Sequence, residues 1–567
     1  MRVADYIAKF LVDQGVEDIF MLTGYGAMYL NDAIELAGIK YYAARNEAAV
    51  PMMAEAYARV KQSLAAVCVT AGPGSTNAVP GLAEAWVDSA PVLVLSGQVD
   101  KKYTTHAART EGLRTFGVAE IDIIPVVKPL TKFAVMVEDP ERIRYILEKA
   151  VYLATSGRPG PVWIDVPLDI QRAHIDPENL ESFSPPKKIK ELSANISSSV
   201  AETLELMKNA NYPLIVCGHG VRQANAIYLF KNLIQRWKVP FIFSRLGQDI
   251  MPHSHPYCFG QAGTKGSRYC QRIMRRADVV LVLGCRLAIP FVGQNFEAFS
   301  PQVKIIMVDI DEAELKKPGV PISLPVHTDV REFINRLLTE HADIIQSIDN
   351  SWISYCRRLK DGYPIINLGL RRNPIDLYYF MHRLNYSSNS RHIMVTDAGS
   401  NYYIGGQVWT FEHGQREVCS GCNAAMGLSI PLAIGAAIAS PSSQVLAVTG
   451  DGSLELNIQE LKTIAHYNLN IKLFVINNGG YVSMRKWQDD YFEGRQIDTE
   501  ENTGAGTLNL RNIAKAFDLD WVCIEKFEEI DNRLTEIMKE DGPLFVEVMT
   551  DNNQKIIEAF DPHLWEK

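Results

Sequence analysis

The stretch from Val445 to Tyr481, VLAVTGDGSLELNIQELKTIAHYNLNIKLFVINNGGY, constrains the fold more than any other part of the chain. The apolar run at 445–449 predicts a buried strand, Gly450-Asp451-Gly452 a turn, the apolar spacing over about 454–466 a helix, and 471–476 a second strand ending on Asn477-Asn478. Strand, helix and strand in this length form a βαβ unit with parallel strands. It puts Asp451 and Asn478 at the carboxyl ends of two strands, the edge where open α/β sheets bind ligands. A carboxylate and an amide oxygen are hard ligands, and magnesium bound by one or two such groups plus phosphate oxygens fits them. Gly450, Gly452, Gly479 and Gly480 let the backbone approach phosphates, and Ser453 adds a hydroxyl beside the free N–H groups of a helix start. A GDG triplet alone is common in ordinary turns. GDG, then 24 residues, then NN, with a strand on each side, is specific.

The 567 residues allow three or four domains of roughly 150 residues. A net charge of −9 argues against a nucleic-acid partner, so anionic ligands must be held by local positive groups. The first residues read as an amphipathic helix rather than a secretory signal, and no apolar run reaches the ~18 residues of a membrane span. Nine cysteines without a framework fit a reduced, cytoplasmic setting. Cys419 and Cys422 have CxxC spacing but no second pair, and read as small loop residues. His253 and His255 read as a surface loop.

Residues 1–171 alternate helix and strand, with polar or glycine-rich turns after the strands: Gly24-Tyr25 after 18–22, Glu47 after 41–44, and Pro73 to Asn77 after 65–70. Residues 172–198, rich in Pro, Ser and mixed charge, read as a linker. Residues 199–340 form a second α/β unit in which strands end on Gly218 and Gly220 with Arg222, on Ser244, on Gly284 with Arg286, and on Asp309, a pattern suited to a dinucleotide across strand ends. Residues 341–372 read as a polar helical linker. From 373 to 551 runs a third α/β unit. It carries a second candidate diphosphate loop, Asp397-Ala398-Gly399-Ser400-Asn401, and Met426 before a small-residue helix. A polar tail, 552–567, contains Phe560 and Trp565. The expected fold class is α/β, with three parallel-sheet domains.

The GDG…NN spacing resembles the thiamin-diphosphate motif. RNEAAVPMMAEAYAR around Glu47 is similar to the segment of such enzymes that carries the activating glutamate. TAGPGSTNAVPGLAEAWVDSAPVLVLSGQV and GRPGPVWIDVPLDIQ resemble the acetolactate synthase family nearly position for position. The resemblance covers essentially the whole chain. It implies pyrimidine-binding, central and diphosphate-binding domains, and a homodimer or homotetramer whose sites are shared between subunits. It implies magnesium on Asp451, Asn478 and a main-chain oxygen near Gly480, with Tyr481 beside it. Glu47 would activate the aminopyrimidine ring, and Met426 would prop the cofactor into its bent shape. It also implies FAD in the central domain, on the glycines and arginines above together with Gly263, Lys265 and Asp329. At the second arginine of the family's GxRxxxR pattern the chain has Pro290.

On the acceptor side the chain departs from the family. Val118-Ala119-Glu120 stands for Phe-Gln-Glu, Leu168 for a lysine, and Gly24-Tyr25-Gly26-Ala27 for a Pro-Gly-Gly loop. The run GYGAMYLNDAIE resembles a subgroup that joins the acetyl unit of pyruvate to a nucleotide-linked 4-keto-sugar, as in yersiniose-type sugars. The expectation is therefore a thiamin-diphosphate- and magnesium-dependent carboligase with pyruvate as donor and a ketone such as a 4-keto-sugar as acceptor, its phosphates held by Lys101, Lys102 or Arg109. The alternatives are acetolactate synthase itself, a decarboxylase or hydrolase, and a catalytically silent paralogue.

Overall fold

A computed structural model describes residues 1–186, 196–299, 302–340 and 350–559. The described residues contain three six-stranded sheets, each wholly parallel. The first runs, edge to edge, through Lys40–Ala43, Asp18–Met21, Ala65–Val69, Val92–Gln98, Val162–Pro167 and Phe133–Met136. The third repeats this order with Arg416–Val418, His392–Thr396, Gln444–Gly450, Ile471–Asn477, Leu544–Met549 and Trp521–Ile524. The central sheet is wound differently. Its order is Cys258–Gln261, Phe241–Phe243, Pro213–Cys217, Val279–Leu283, Lys304–Asp309 and Leu324–His327, which is 3-2-1-4-5-6 when its strands are counted along the chain. That is the order of dinucleotide-binding sheets. The central strands of all three sheets are buried along their length, as parallel strands covered on both faces must be.

In each sheet the chain reverses its direction of travel between two neighbouring strands, and the loops leaving those strands share a crevice. The pairs are 22–27 with 70–77, 218–220 with 284–286, and 397–401 with 450–453. The loops touch closely where glycines leave room for their partners. Gly26 N–H donates to Thr70 Oγ1 at 3.0 Å, and a Cβ on Gly218 would overlap the Gly284 carbonyl.

The first and third sheets are joined by two helices that cross at small residues. Ala49–Lys61 is buried on almost every side, and Gly435 of Ser429–Ala439 lies so close that a Cβ there would overlap the Met53 carbonyl.

The helix expected over 454–466 is different in the structure. It begins at Asp451, continues as a 3-10 stretch over Glu455–Glu460 and resumes as Leu461–His466, because Asn457 leaves helical geometry at φ −138°. Its amide explains the break, since Nδ2 donates to the Gly427 carbonyl at 2.9 Å. His253 is not on a surface loop. It is buried, stacked on Phe243 beside Phe411, and burial pushes its imidazole down to about 4. The helix Ile196–Lys208 begins inside the stretch expected to be a linker. In the second expected linker, Trp352 is buried and donates to the Pro213 carbonyl at 2.9 Å. Phe560 and Trp565 lie outside the described residues. Among the described residues no helix is long and apolar enough to cross a membrane.

Candidate active site

Asp451 is the hub of the third sheet's crevice. Its Oδ1 accepts the Gly452 N–H at 2.9 Å, and its Oδ2 accepts those of Asn478 at 3.2 Å and Gly480 at 3.0 Å. Burial raises this carboxyl, and the three N–H groups oppose that shift. The ends of the two strands are thus tied together by the one carboxylate. Beside it the Asn478 side-chain oxygen is buried and has no hydrogen-bond partner. An orphaned amide acceptor next to a carboxylate fits a hard divalent cation. Among the described residues no three His, Cys, Asp or Glu side chains cluster as a metal site. Gly480, at φ +109°, faces the Thr499 carbonyl so closely that a Cβ would come within 2.6 Å. Gly452 has no room for a side chain against the Tyr481 ring. The glycines therefore keep this cradle open.

Across the crevice, two residues of the second loop are used internally. Asn401 Nδ2 donates to Asp397 Oδ1 at 3.0 Å and to the Val448 carbonyl at 3.1 Å. Ser453 Oγ donates to Asp397 Oδ2 at 2.6 Å and accepts from Gly427 N at 2.7 Å. The Ser453 hydroxyl expected beside a phosphate is thus engaged with protein groups, and so is the Asn401 amide. Gly399, at φ +70°, and Ser400, whose Oγ lies 3.3 Å from Ser483 Oγ, complete the loop. Asp397, which opens this second candidate loop, was given no role of its own from sequence. It is fully buried and accepts from Ala398, Asn401, Thr449 and Ser453, so it clamps the two loops together. Its signal, an acid ending a strand before Ala-Gly-Ser, is weak by itself.

In the first sheet, Glu47 stands half-buried just before the helix Ala49–Lys61. Asn77 Nδ2 donates to its Oε2 at 3.2 Å, and Oε1 accepts no hydrogen bond among the described residues. The preceding turn is fixed by Glu460 of the third domain, whose Oε1 accepts the Arg45 N–H at 2.8 Å. Pro73 opens the short helix Pro73–Asn77, which brings Asn77 to Glu47. Gly24 packs on Thr70 while Tyr25 is exposed. Met426 is exposed as well, in the loop before Ser429–Ala439.

The acceptor-side residues separate. Val118 is 90% exposed. Leu168, expected near an entrance, is buried within the first domain, because it opens the helix Leu168–Arg172 against the sheet. Lys101 Nζ already donates to the Glu138 carbonyl at 2.7 Å, and Lys102 lies over the Tyr103 ring.

The central sheet's crevice opens into a cleft bordered by Gly220, Ser244, Lys265, Gly284, Arg286, Asp309 and Asp329. Of the other expected residues, Gly218 packs behind it and Gly263 beside Pro290. Arg222 is turned to an ion pair with Asp249 at 2.8 Å. Three residues not foreseen also line the cleft. Arg245 pairs with Glu417 at 2.6 Å and lies over the Tyr402 ring, while its Nε and Nη1 have no partner. The Gln261 side-chain oxygen is likewise buried and unpartnered. Strand spacing gives no hint of these residues, because Tyr402 belongs to the third domain.

The same three units are recognised by family models. Residues 1–121 match the N-terminal TPP binding domain of thiamine pyrophosphate enzymes, 200–337 the central domain, and 397–548 the C-terminal TPP binding domain. The acetolactate synthase large subunit of Lactococcus lactis subsp. lactis is 29% identical over 552 residues, covering 97% of this chain and 93% of that protein. The acetolactate synthase isozyme 1 large subunit of Escherichia coli K12 is 28% identical over 99% of this chain and 96% of its own length. A probable acetolactate synthase large subunit of Methanocaldococcus jannaschii is 29% identical over 97% and 92%. With three matched domains in this order and full-length similarity to these proteins, the chain belongs to the thiamine pyrophosphate-dependent enzymes of the acetolactate synthase-like family.

Proposed function

We propose that this thiamin-diphosphate- and magnesium-dependent carboligase takes pyruvate as donor and a second 2-oxo acid as acceptor, the reaction of an acetolactate synthase. The observation that carries the cofactor assignment is the orphaned Asn478 oxygen beside Asp451. The full-length likeness to acetolactate synthase large subunits supports the acceptor. Asp451, Asn478 and a main-chain oxygen near Gly480 would hold the magnesium, and through it the diphosphate. When bound, thiamin diphosphate supplies a nucleophilic carbon that adds to the keto group and accepts the electron pair left as carbon dioxide departs. Glu47 holds the proton relay at the other end. Its open Oε1 is an acceptor for a ring N–H, and Asn77 on Oε2 orients the carboxylate. Met426 presents an apolar side chain against which the two cofactor rings would fold together.

The small, exposed side chain of Val118 favours a second reading, a bulkier ketone such as a nucleotide-linked 4-keto-sugar. FAD would lie in the central cleft, where sheet order, glycine turns and the open Nε and Nη1 of Arg245 suit a dinucleotide. Tyr25 and Met28 on the first domain, and Met426, Leu456 and Met484 on the third, are exposed apolar groups that a second copy would cover in a homodimer. The deciding experiment identifies the products formed from pyruvate alone and from pyruvate with a keto-sugar nucleotide. Rapid acetolactate formation, unaffected by the sugar, supports the first reading. Sugar-dependent turnover without acetolactate overturns it.

A further inference from the structure

Away from the diphosphate motif, a dense group of buried ionisable side chains lies where Val79–Val87 of the first domain meets residues 419–427 of the third. Glu84 is 1% exposed and commits both carboxylate oxygens to that loop. Oε1 accepts from Asn423 Nδ2 at 2.6 Å and Oε2 from Ser420 Oγ at 3.1 Å. Asp88 accepts the Gly421 N–H at 2.8 and 3.1 Å, and Arg59 donates to the Cys419 carbonyl at 2.7 Å. Ser420 Oγ accepts from Ala424 N at 2.8 Å, and Ala424 sits at φ +48°, which an alanine keeps only when its surroundings hold it there. The far end of the loop is tied to the diphosphate motif by Gly427 N to Ser453 Oγ and Asn457 Nδ2 to the Gly427 carbonyl. Met426, between these anchors, remains 40% exposed.

We infer that Glu84 is a positioning residue for Met426, fixing through Asn423 and Ser420 the loop conformation that presents this side chain to the cofactor. Burial, reinforced by Asp88, pushes the Glu84 carboxyl up to about 7. An apolar residue of similar size would pack the helix without that desolvation, so the carboxylate is explained by what it holds. The inference rests on the reading of Met426 given above.

The test measures hydrogen–deuterium exchange at the reactive carbon of bound thiamin diphosphate, together with the cofactor's near-ultraviolet circular dichroism, in magnesium-saturated protein. The variants are Asn423→Ala, Glu84→Ala, Glu84→Gln and Met426→Ala. Asn423 is exposed, so its variant folds whatever becomes of Glu84→Ala. Asn423→Ala and Glu84→Ala should each slow exchange by about tenfold, the scale of one charge-assisted hydrogen bond. Glu84→Gln, which keeps an oxygen for Asn423, should recover most of the rate. Cofactor affinity should not change, since Asp451 and Asn478 are untouched. If Met426→Ala slows exchange and Asn423→Ala does not, the positioning role is overturned, even where Glu84→Ala is impaired. If Met426→Ala leaves both signals as in the parent protein, the reading of Met426 falls and this inference falls with it.

Discussion

Replacing Asn478 by alanine should move the metal-free and the loaded protein in opposite directions. In the free protein the Asn478 Oδ1 is buried without a partner, and an unsatisfied buried acceptor costs ~1–3 kcal/mol. Among the described residues its hydrogen bonds are made by the main chain: N–H to Asp451 Oδ2 at 3.2 Å, and carbonyl from Arg485 Nη2 at 2.8 Å. Both survive truncation. Asn478→Ala should therefore leave the melting temperature in chelator unchanged or higher. Magnesium and thiamin diphosphate at a hundred times their dissociation constant should stabilise the parent by ~2.7 kcal/mol. If losing the amide ligand weakens binding a hundredfold, the same concentrations stabilise the variant by only about 0.4 kcal/mol. The assay is thermal unfolding of both proteins, in chelator and with magnesium and cofactor. A variant that melts several degrees lower in chelator yet keeps the full ligand-induced rise would show that the amide supports the fold and not the metal.

Three further outcomes follow from the same geometry. Glu47→Gln keeps the shape of the side chain and its contact with Asn77 but removes the charge, so turnover should fall by ~10²–10⁴ with cofactor affinity retained; near-full activity at saturating cofactor would refute the role. If the central cleft holds FAD, the purified protein should show flavin absorbance or acquire it on incubation, and Arg245→Leu should lower flavin retention; a fully active protein that takes up none would refute the assignment. Burial and then Asp88 raise the Glu55 carboxyl to about 8, while its Oε2 has no partner and Arg59 is shared with Asp88. The folded protein thus keeps a proton that the unfolded chain has released, and this stabilisation is full below pH 4.5 and lost as the pH rises through about 8. Glu55→Gln should flatten the decline in melting temperature over that window, and an unchanged slope would count against the protonated carboxyl.

What was legible in the sequence is what a single loop encodes. Gly450 to Ser453 and Asn477 to Gly480 are short, and βαβ topology alone brings them to one sheet edge. Glu47 and Asn77 are similarly local, each within a few residues of a strand end. The roles that escaped notice depend on contacts between distant segments. Asp397 acts as a clamp only once Ser453 and Thr449 approach it from another strand. Arg245 and Gln261 matter because Tyr402 and Gly406 close over them from the third domain. The helix after Asp451 was expected to be continuous because its apolar spacing is helical. It breaks because Asn457 makes a tertiary hydrogen bond that the spacing does not contain.

The same division bears on the acceptor. The backbone of the loop from Thr104 to Ile121 is held by specific contacts. Buried Glu120 accepts from Thr105 N, Thr105 Oγ1 and Phe116 N at 2.7–2.9 Å, and Gly72 sits so close beneath Ala119 that a side chain there would overlap its carbonyl. Those contacts hold the loop beside the turn Pro73–Asn77, next to the Glu47 partner. They place almost no demand on the side chains of Val118, at 90% exposure, or Phe116, at 54%. Exposed substitutions of this kind change stability by about 0.5 kcal/mol or less. The identity of residue 118 can therefore change with the acceptor while the scaffold, Glu120 and the cofactor crevice stay as they are. Likeness to acetolactate synthases over the full length tests the scaffold strongly and this rim weakly, which is why product identification, rather than further comparison, decides between a 2-oxo acid and a bulkier ketone.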